Sequence, residues 1–486
     1  MRELIDKYKR LNSQARASLW FLFANVFQKA VMIFFTPVFT RILTTEEFSK
    51  YAVFQSWEAI FTVFATLNIS SYATAKALVD SKNDEDKFIF SAEILTVLLS
   101  VIVFITYYVA RFFFKGLDVF PLPIMISLFC DIVFVAIFNF WSQLERYFLR
   151  YRALVICSLF VGILSPVLAY LLIRYSNELG LYKGWARIVS TVFLDGLVAI
   201  IIFSAAMRKS HCKIRINDWK YCVSYCIPLI PHFLAAAFLQ KASQLFVDHY
   251  AGENASGIFA LANSLALMMM VFNDALTKTM VPWTYKKLAD KKYDVINRPI
   301  VASLIGIGIL DLLMCLLAPE IVTIFADAAY KEAIYAIPPL VGVCFFGFIY
   351  NAYTNIEYYY QETKYVSIAS VCAGITIVLS EFITVPKWGF IAAAYSALFS
   401  YCVYAIVHYI FMIKTMNKHI PGITIYNNNC ILKISLVFVL LILLMPILYI
   451  FRYLRYAIMI CIGILLCLKI DKIVLFIRGN LNENGK

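Results

Sequence analysis

The chain has 486 residues, 62% of them hydrophobic and only 15% charged, with a formal net charge of +13. Soluble domains carry roughly 25% charge and about 45–50% apolar residues, so the composition excludes a string of soluble domains and indicates one polytopic membrane protein. The 12 cysteines are scattered singly with no Cys-x-x-Cys pair. That excludes a disulfide or zinc framework and leaves buried thiols acting as small hydrophobes, Cys222 and Cys226 included.

The N-terminal residues 1–16 are basic (Arg2, Lys7, Lys9, Arg10, Arg16) and are expected in the cytoplasm. The apolar run that follows is too long for a signal h-region and lacks a small-x-small cleavage site. It reads as a retained first span. A spanning helix needs about 20 apolar residues. Fourteen segments meet this requirement: 17–40, 50–72, 88–110, 120–142, 153–174, 186–207, 221–246, 257–280, 298–318, 334–356, 365–385, 389–412, 431–451 and 455–476.

Lysine and arginine bias sets the orientation. With the N-terminus inside, thirty of the 43 Lys and Arg residues fall in inside connectors or termini and eleven outside. The other two, Lys29 and Lys241, lie within spans. Both chain ends, including the tail 477–486, are then cytoplasmic. The positive charge is a topology signal and an attraction for anionic lipid. Dispersed over short loops without a recognition motif, it gives no reason to expect nucleic acid as a partner. No phosphate-binding loop of the G-x-x-x-x-G-K-[ST] type occurs, so no ATPase engine is expected. Energy must come from a gradient or from the fate of the substrate.

An internal repeat is visible. "FTRILTTEEFSKYAVFQSW" (39–57) aligns without gaps with "VDHYAGENASGIFALANSL" (247–265), at an offset of 208 residues. Each joins a polar helix to the next. Transporters built from repeated halves place their site at the interface. The expected division is an N-terminal lobe over 17–215 (helices 1–6), a C-terminal lobe over 216–412 (helices 7–12), and two additional helices within 431–476.

Four stretches carry a family resemblance: "TPVFTRILTTEEFSKYAVF" (36–54), "IPLIPHFLAAAFLQKASQLFVDHYAGENASGIFALA" (227–262), "APEIVTIFADAAYKEAIYAIPPL" (318–340) and "ITVPKWGFIAAAYSALFSY" (383–401). In order and spacing the chain resembles the oligosaccharide flippases of bacterial surface polysaccharide synthesis, the O-antigen and capsule polysaccharide biosynthesis protein family. These belong to the multidrug/oligosaccharidyl-lipid/polysaccharide exporter superfamily. One departure is Glu381, five residues before Pro386, where the family often has asparagine. The resemblance implies an all-α membrane protein with two six-helix lobes around a central cavity. It implies a flippase of the bacterial inner membrane that moves polyprenyl-diphosphate-linked oligosaccharide by alternating access, with no bond made or broken and no cofactor or metal. A polysaccharide polymerase with its chain-length machinery are candidate partners of an expected monomer.

The residues themselves direct attention to intramembrane charge. The stretch "NVFQKAVMIFFTP" (25–37) puts Lys29 at the middle of the first span. A charge at that depth costs about 2.5–3.5 kcal/mol on insertion scales and usually faces a cavity or a partner. Lys241 stands in the first span of the second half, also within Gln-Lys-Ala. Cations on a cavity wall replace the lost hydration of a diphosphate with charge-assisted hydrogen bonds. Lys29 and Lys241 are therefore candidate substrate-binding residues, with Arg41 and Lys278 at opposite mouths. Snorkelling, interfacial anchoring or pairing with acids are the structural alternatives. Glu381 and Asp274 among the intramembrane acids, which also include Glu58, Glu93, Asp131, Asp195 and Asp311, and Asp248 just beyond the seventh span are candidate coupling or counter-ion groups. His232, Gln240, Ser243, Gln244, Asn263 and Asn273 suit either sugar hydroxyls or helix-to-helix hydrogen bonds. Pro228 and Pro231 are expected to kink the seventh span. The tyrosine-rich 350–365 reads as an interfacial belt. A competing reading is an ion-coupled drug or toxin exporter, whose cationic substrates favour acids over lysines. A glycosyltransferase or polymerase would need a longer outer connector than 319–333.

Overall fold

The computed structural model describes residues 13–468 apart from 72, 81–83, 115, 117, 212 and 213. The expected cytoplasmic segment 1–16 lies outside the described residues up to residue 12. So do the tail 477–486 and the end of the last span, 469–476. Among the described residues every regular element is helical: α1 (Ser13–Ile42), α2 (Thr45–Thr66), α3 (Ala73–Asp80), α4 (Glu85–Phe113), α5 (Leu122–Tyr147), α6 (Tyr151–Arg174), α7 (Ser176–Leu179), α8 (Ala186–Ser210), α9 (Ile216–Cys226), α10 (Ile230–Ala266), α11 (Met268–Ala289), α12 (Asn297–Phe325), α13 (Ile337–Tyr359), α14 (Thr363–His419), α15 (Asn428–Leu448) and α16 (Arg452–Leu468), with three short 3-10 turns.

Ten continuous helical stretches are long and apolar enough to cross a membrane. Two of them each contain two expected spans, and α2 and α16 supply the last pair. The double stretches bend at glycines. Gly252 in α10 has φ 87° and Gly389 in α14 has φ 65°. Side chains avoid this left-handed region, and glycine does not. The chain is an all-α polytopic membrane protein. Large apolar side chains such as Phe34, Phe112, Phe113, Ile200 and Ile201 are exposed on its flanks, a surface suited to lipid rather than water.

Three segment expectations need correction. The segment 221–246 is not one helix. Residues 216–226 form the separate α9, and Pro228 and Pro231 start the new helix α10. Proline lacks the N–H that an interior turn would use, and it is tolerated at a helix start. The segment 50–72 begins earlier and ends earlier. Thr44 and Glu47 form a reciprocal capping box, and Leu67 terminates α2 in the left-handed region. The segment 257–280 is interrupted at Leu267, between α10 and α11. Cys222 and Cys226 are free thiols buried with Leu67, Ile69 and Ala73.

The core is uneven. One large apolar cluster joins Phe39, Leu43, Phe48, Ala169, Ile173 and Ala186 of the first half to α10–α15. These six residues all lie at the end that the charge bias assigns to the outside, here called the outer end. Away from it the first half keeps smaller clusters, one of which takes in Cys222 and Cys226 of α9. The two halves are therefore joined most extensively at the outer end, with α9 as a second point of contact, where Trp219 Nε1 donates to the Ser91 carbonyl at 2.8 Å.

The seam has a specific chemistry. Its two sides are the repeated stretches 39–57 and 247–265. Thr45 Oγ1 donates to Asn254 Oδ1 at 2.5 Å, and Lys50 pairs with Glu253. A Cβ on Gly257 would sit 1.9 Å from the Thr45 carbonyl oxygen, so α2 and α10 touch backbone to backbone. Thr40 Oγ1 donates to the Phe325 carbonyl at 2.6 Å, and Phe48 meets Tyr330 edge-to-face at 5.8 Å. The last two helices dock on the second half. Phe438 stacks on Phe345 at 3.9 Å, and the buried Arg455 clamps Glu320 with contacts of 2.5 and 2.7 Å.

Gly257→Ala is expected to wedge the outer seam open without unfolding either half. A cysteine placed at Ser264, on the cavity wall, should then label faster with a membrane-impermeant thiol reagent added from the outer side. Unchanged labelling would show that the seam does not control access.

Candidate substrate cavity

Between the halves lies a cavity of about 290 Å³. The first half contributes Ala52, Gln55 and Ser56 of α2 to its wall. The second contributes Lys241, Gln240, Asn263 and Ser264 of α10, with Tyr350 of α13 and Tyr401 of α14. The α10 bend explains the density of polar groups. Lys241 sits on the limb before Gly252 and Asn263 on the limb after it, and both limbs face the same space. Gln244 also lines the cavity, with its amide nitrogen engaged: it donates to the Ser256 hydroxyl at 2.7 Å and the Ser256 carbonyl at 3.0 Å.

Lys241 has no salt-bridge partner among the described residues. Glu58 of α2 is the acid within its electrostatic reach, with Asp195 near Glu58 in turn. Lys29 is placed differently. Its Nζ lies 3.0 Å from Asp274 Oδ2 of α11, and the two side chains are 45% and 51% exposed. The pair adjoins the cavity without lining it. The neighbouring Asn273 donates to the Cys344 carbonyl at 3.0 Å, and Cys344 is part of the wall. Lys29 and Asp274 thus link the two halves by a direct ion pair.

The other expected residues separate. Arg41 donates to the Ile324 carbonyl at 2.8 Å in the outer seam. Lys278 is exposed one turn after Asp274, and the acid it follows is paired to Lys29 instead. Asp248 interacts with Ser256 and with Lys50, also at the seam and away from Lys241. Glu381 is fully buried; the Ser243 hydroxyl donates to its Oε1, and its Oε2 has no partner. So the cavity gathers Lys241 and its neutral polar neighbours. Lys29 with Asp274 stands beside it, and Arg41 with Asp248 stays at the outer end.

Sequence reading missed two groups. Arg187 stands at the outer start of α8. Its guanidinium lies over the rings of Tyr51 (4.1 Å), Phe39 (4.6 Å) and Phe48 (5.5 Å), a cation–π cage under the seam. Its position next to the aromatic pair Tyr182 and Trp185 was the available signal. The second group is a buried His408–Glu357 pair, with Nδ1 at 2.9 and 3.1 Å from the two carboxylate oxygens. A single histidine and a single acid inside apolar runs were its signal.

A family model described as "polysaccharide biosynthesis protein" matches residues 15–287. The chain belongs to this family. A protein of the Lsg locus of Haemophilus influenzae is 26% identical over 168 residues, covering 33% of this chain and 40% of that protein. The match thus spans less than half the length of that relative. Among solved structures, the lipid II flippase MurJ in an inward closed conformation gives a TM-score of 0.68 at 15% identity, covering 93% of this chain and 98% of that one. An inward-facing multidrug resistance MATE transporter gives 0.61 at 13% identity, covering 80% and 95%. At these identities the likeness to MurJ and the MATE transporter shows a common fold.

An exposed ion pair contributes about 0–1 kcal/mol. Lys29→Ala is therefore expected to leave thermal stability within about 2–4 °C of wild type, the shift that ~1 kcal/mol gives in a large domain. If the pair bridges the halves for function, Lys29→Asp and Asp274→Lys each abolish complementation of a deletion strain, and the double exchange restores part of it. A double exchange as inactive as Lys29→Asp alone would assign Lys29 a role beyond pairing.

Proposed function

We propose that the protein is a flippase that carries a polyprenyl-diphosphate-linked oligosaccharide, an O-antigen or capsule repeat unit, across the bacterial inner membrane by alternating access. Family membership supports this reading. The observation that carries it is the cavity wall: Lys241, without a salt-bridge partner, among the amides and hydroxyls of Gln55, Gln240, Asn263 and Ser264. Lys241 would take the diphosphate, whose two phosphates outbid the more distant Glu58 for the ammonium group. The amides would meet sugar hydroxyls, while the polyprenyl tail stays in lipid. Ligand sites commonly run about 300–1,000 Å³, so the cavity suits the diphosphate and proximal sugar. The remaining sugars would extend past Lys29 and Asp274, where the cleft is wet.

In this scheme the residues 17–215 and 216–412 act as two lobes, with both termini cytoplasmic and the 431–476 helices fixed to the second lobe. The seam of α2 with α10 would close the outer side in this scheme. Separation of α2 from α10 at Gly257 would open the outer side, with Arg41 and Lys278 as cations at the two mouths. The protein performs no catalysis and needs no cofactor. The fold shared with a MATE transporter, together with Glu58, Asp131 and Asp195 in the first half, keeps a cation exporter as the second reading.

Deletion in the native host decides between them. Loss of surface polymer with accumulation of lipid-linked intermediate facing the cytoplasm is expected. Lys241→Ala should fail to complement at matched protein level, and Lys241→Arg should complement in part. Normal surface polymer in the deletion strain would overturn the reading and favour the exporter.

A further inference from the structure

The second half holds a titratable cluster that the cavity reading does not use. Glu357 of α13 and His408 of α14 are both 0% exposed. His408 Nδ1 contacts both oxygens of Glu357, while its Nε2 is buried with no hydrogen-bond partner. From α10, His232 lies within electrostatic reach of His408 and has its own Nδ1 buried without a partner. His232 is only half-buried. From α14, Tyr404 packs on His408 at 4.6 Å and shares a 3.0 Å hydrogen bond with Ser370 of the preceding limb. From α13, Tyr350 stacks over His408 at 5.8 Å and 24°.

We propose that Glu357 and His408 form a proton-binding site, reached from water through His232, and that Tyr350 transmits its occupancy to the contact between the halves. No group of three His, Cys, Asp or Glu residues among the described residues stands close enough to hold a metal ion, and the ligand class left to such a pair is the proton. The pair holds one proton with no net charge, whether arranged as imidazolium–carboxylate or imidazole–carboxylic acid. Adding or removing a proton leaves a net charge in a dry interior, which is costly. Exchange of a proton at such a site requires contact with water. His408 Nε2 and His232 Nδ1 are both buried without a hydrogen-bond partner and are the nitrogens we assign to that exchange.

Tyr350 gives the site a mechanical output. Its ring covers His408 and lines the cavity, and Asp274 is within its electrostatic reach. Asp274 is the residue that pairs with Lys29 of the first half. Tyr350 thus stands between His408, on which it stacks, and the Lys29–Asp274 pair, whose acid it feels electrostatically. This route rests on the transporter reading only for its use; proton binding itself does not.

The test uses full-length protein in proteoliposomes on a solid-supported membrane, stepped in pH across the ordinary Glu and His ranges of about 4 to 7, with no glycan present. Wild type should give a proton-binding current transient. Glu357→Gln and His408→Gln should lose it, and Glu381→Gln should keep it. His232→Gln, at a half-buried position that spares folding, should slow it. A silent wild type, a transient retained in both Glu357→Gln and His408→Gln, or its loss in Glu381→Gln instead would overturn the proposal. Should the first two variants fail to fold, the wild-type transient and its unchanged rate in His232→Gln would do so. Since no lipid-linked sugar is involved, this outcome is separate from that of the flippase reading.

Discussion

The backbone contact between α2 and α10 governs the architecture. Gly257 lets the Thr45 carbonyl approach to a distance that any side chain would forbid. Around that contact, the Thr45–Asn254 hydrogen bond and the Lys50–Glu253 pair supply directional links. The largest apolar cluster follows suit and crosses between the halves there. Packed interfaces of this kind hold discrete arrangements rather than deforming smoothly. A seam closed by one glycine and a few polar links is well suited to have two such arrangements.

Three of the charged groups sit in different physical situations, and their costs differ. Lys29 and Asp274 are half exposed, and an exposed pair in contact with water is worth about 0–1 kcal/mol. His408 and Glu357 are dry, and removing one partner of a buried pair costs roughly 3–5 kcal/mol. Arg187 is held by aromatic faces rather than acids. Lys241 belongs to none of these groups. It faces a cavity with an acid near but not bonded, the condition under which an anionic ligand gains most from an ammonium group.

Much of the fold was legible in the sequence because a bilayer imposes one rule, a run of about 20 apolar residues. All fourteen expected spans have a helical counterpart among the described residues. The errors came where a turn needs no polar loop. Gly252 bends α10 within a helical stretch, and the prolines at 228 and 231 divide what hydropathy reads as one segment. The site was legible in parts. Lys241 is conspicuous in the sequence as a charge within a span and lines a cavity in the structure, but the partners of charged groups are set by packing between distant segments. Nothing local says that Asp274 faces Lys29, 245 positions away, or that Ser243 caps Glu381. His408 and Glu357 were passed over because each alone is unremarkable; only the contact of α13 with α14 makes them a pair.

The glycine bends also have a mechanical consequence. A loop between two spans would let the limbs move separately. The bends at Gly252 and Gly389 keep helical hydrogen bonding on both sides, and α10 and α14 pack extensively on each other, as in the Ser243–Glu381 contact. Lys241, Asn263 and Tyr401 are therefore carried on one stiff body. The first half adds to the cavity only through α2, the same helix that forms the seam. Displacing α2 relative to α10 would change which end of the cavity is open, while most of its lining stays in place. This is the arrangement that alternating access around a fixed site requires, and it follows from where two glycines bend a helix and a third lets two helices touch.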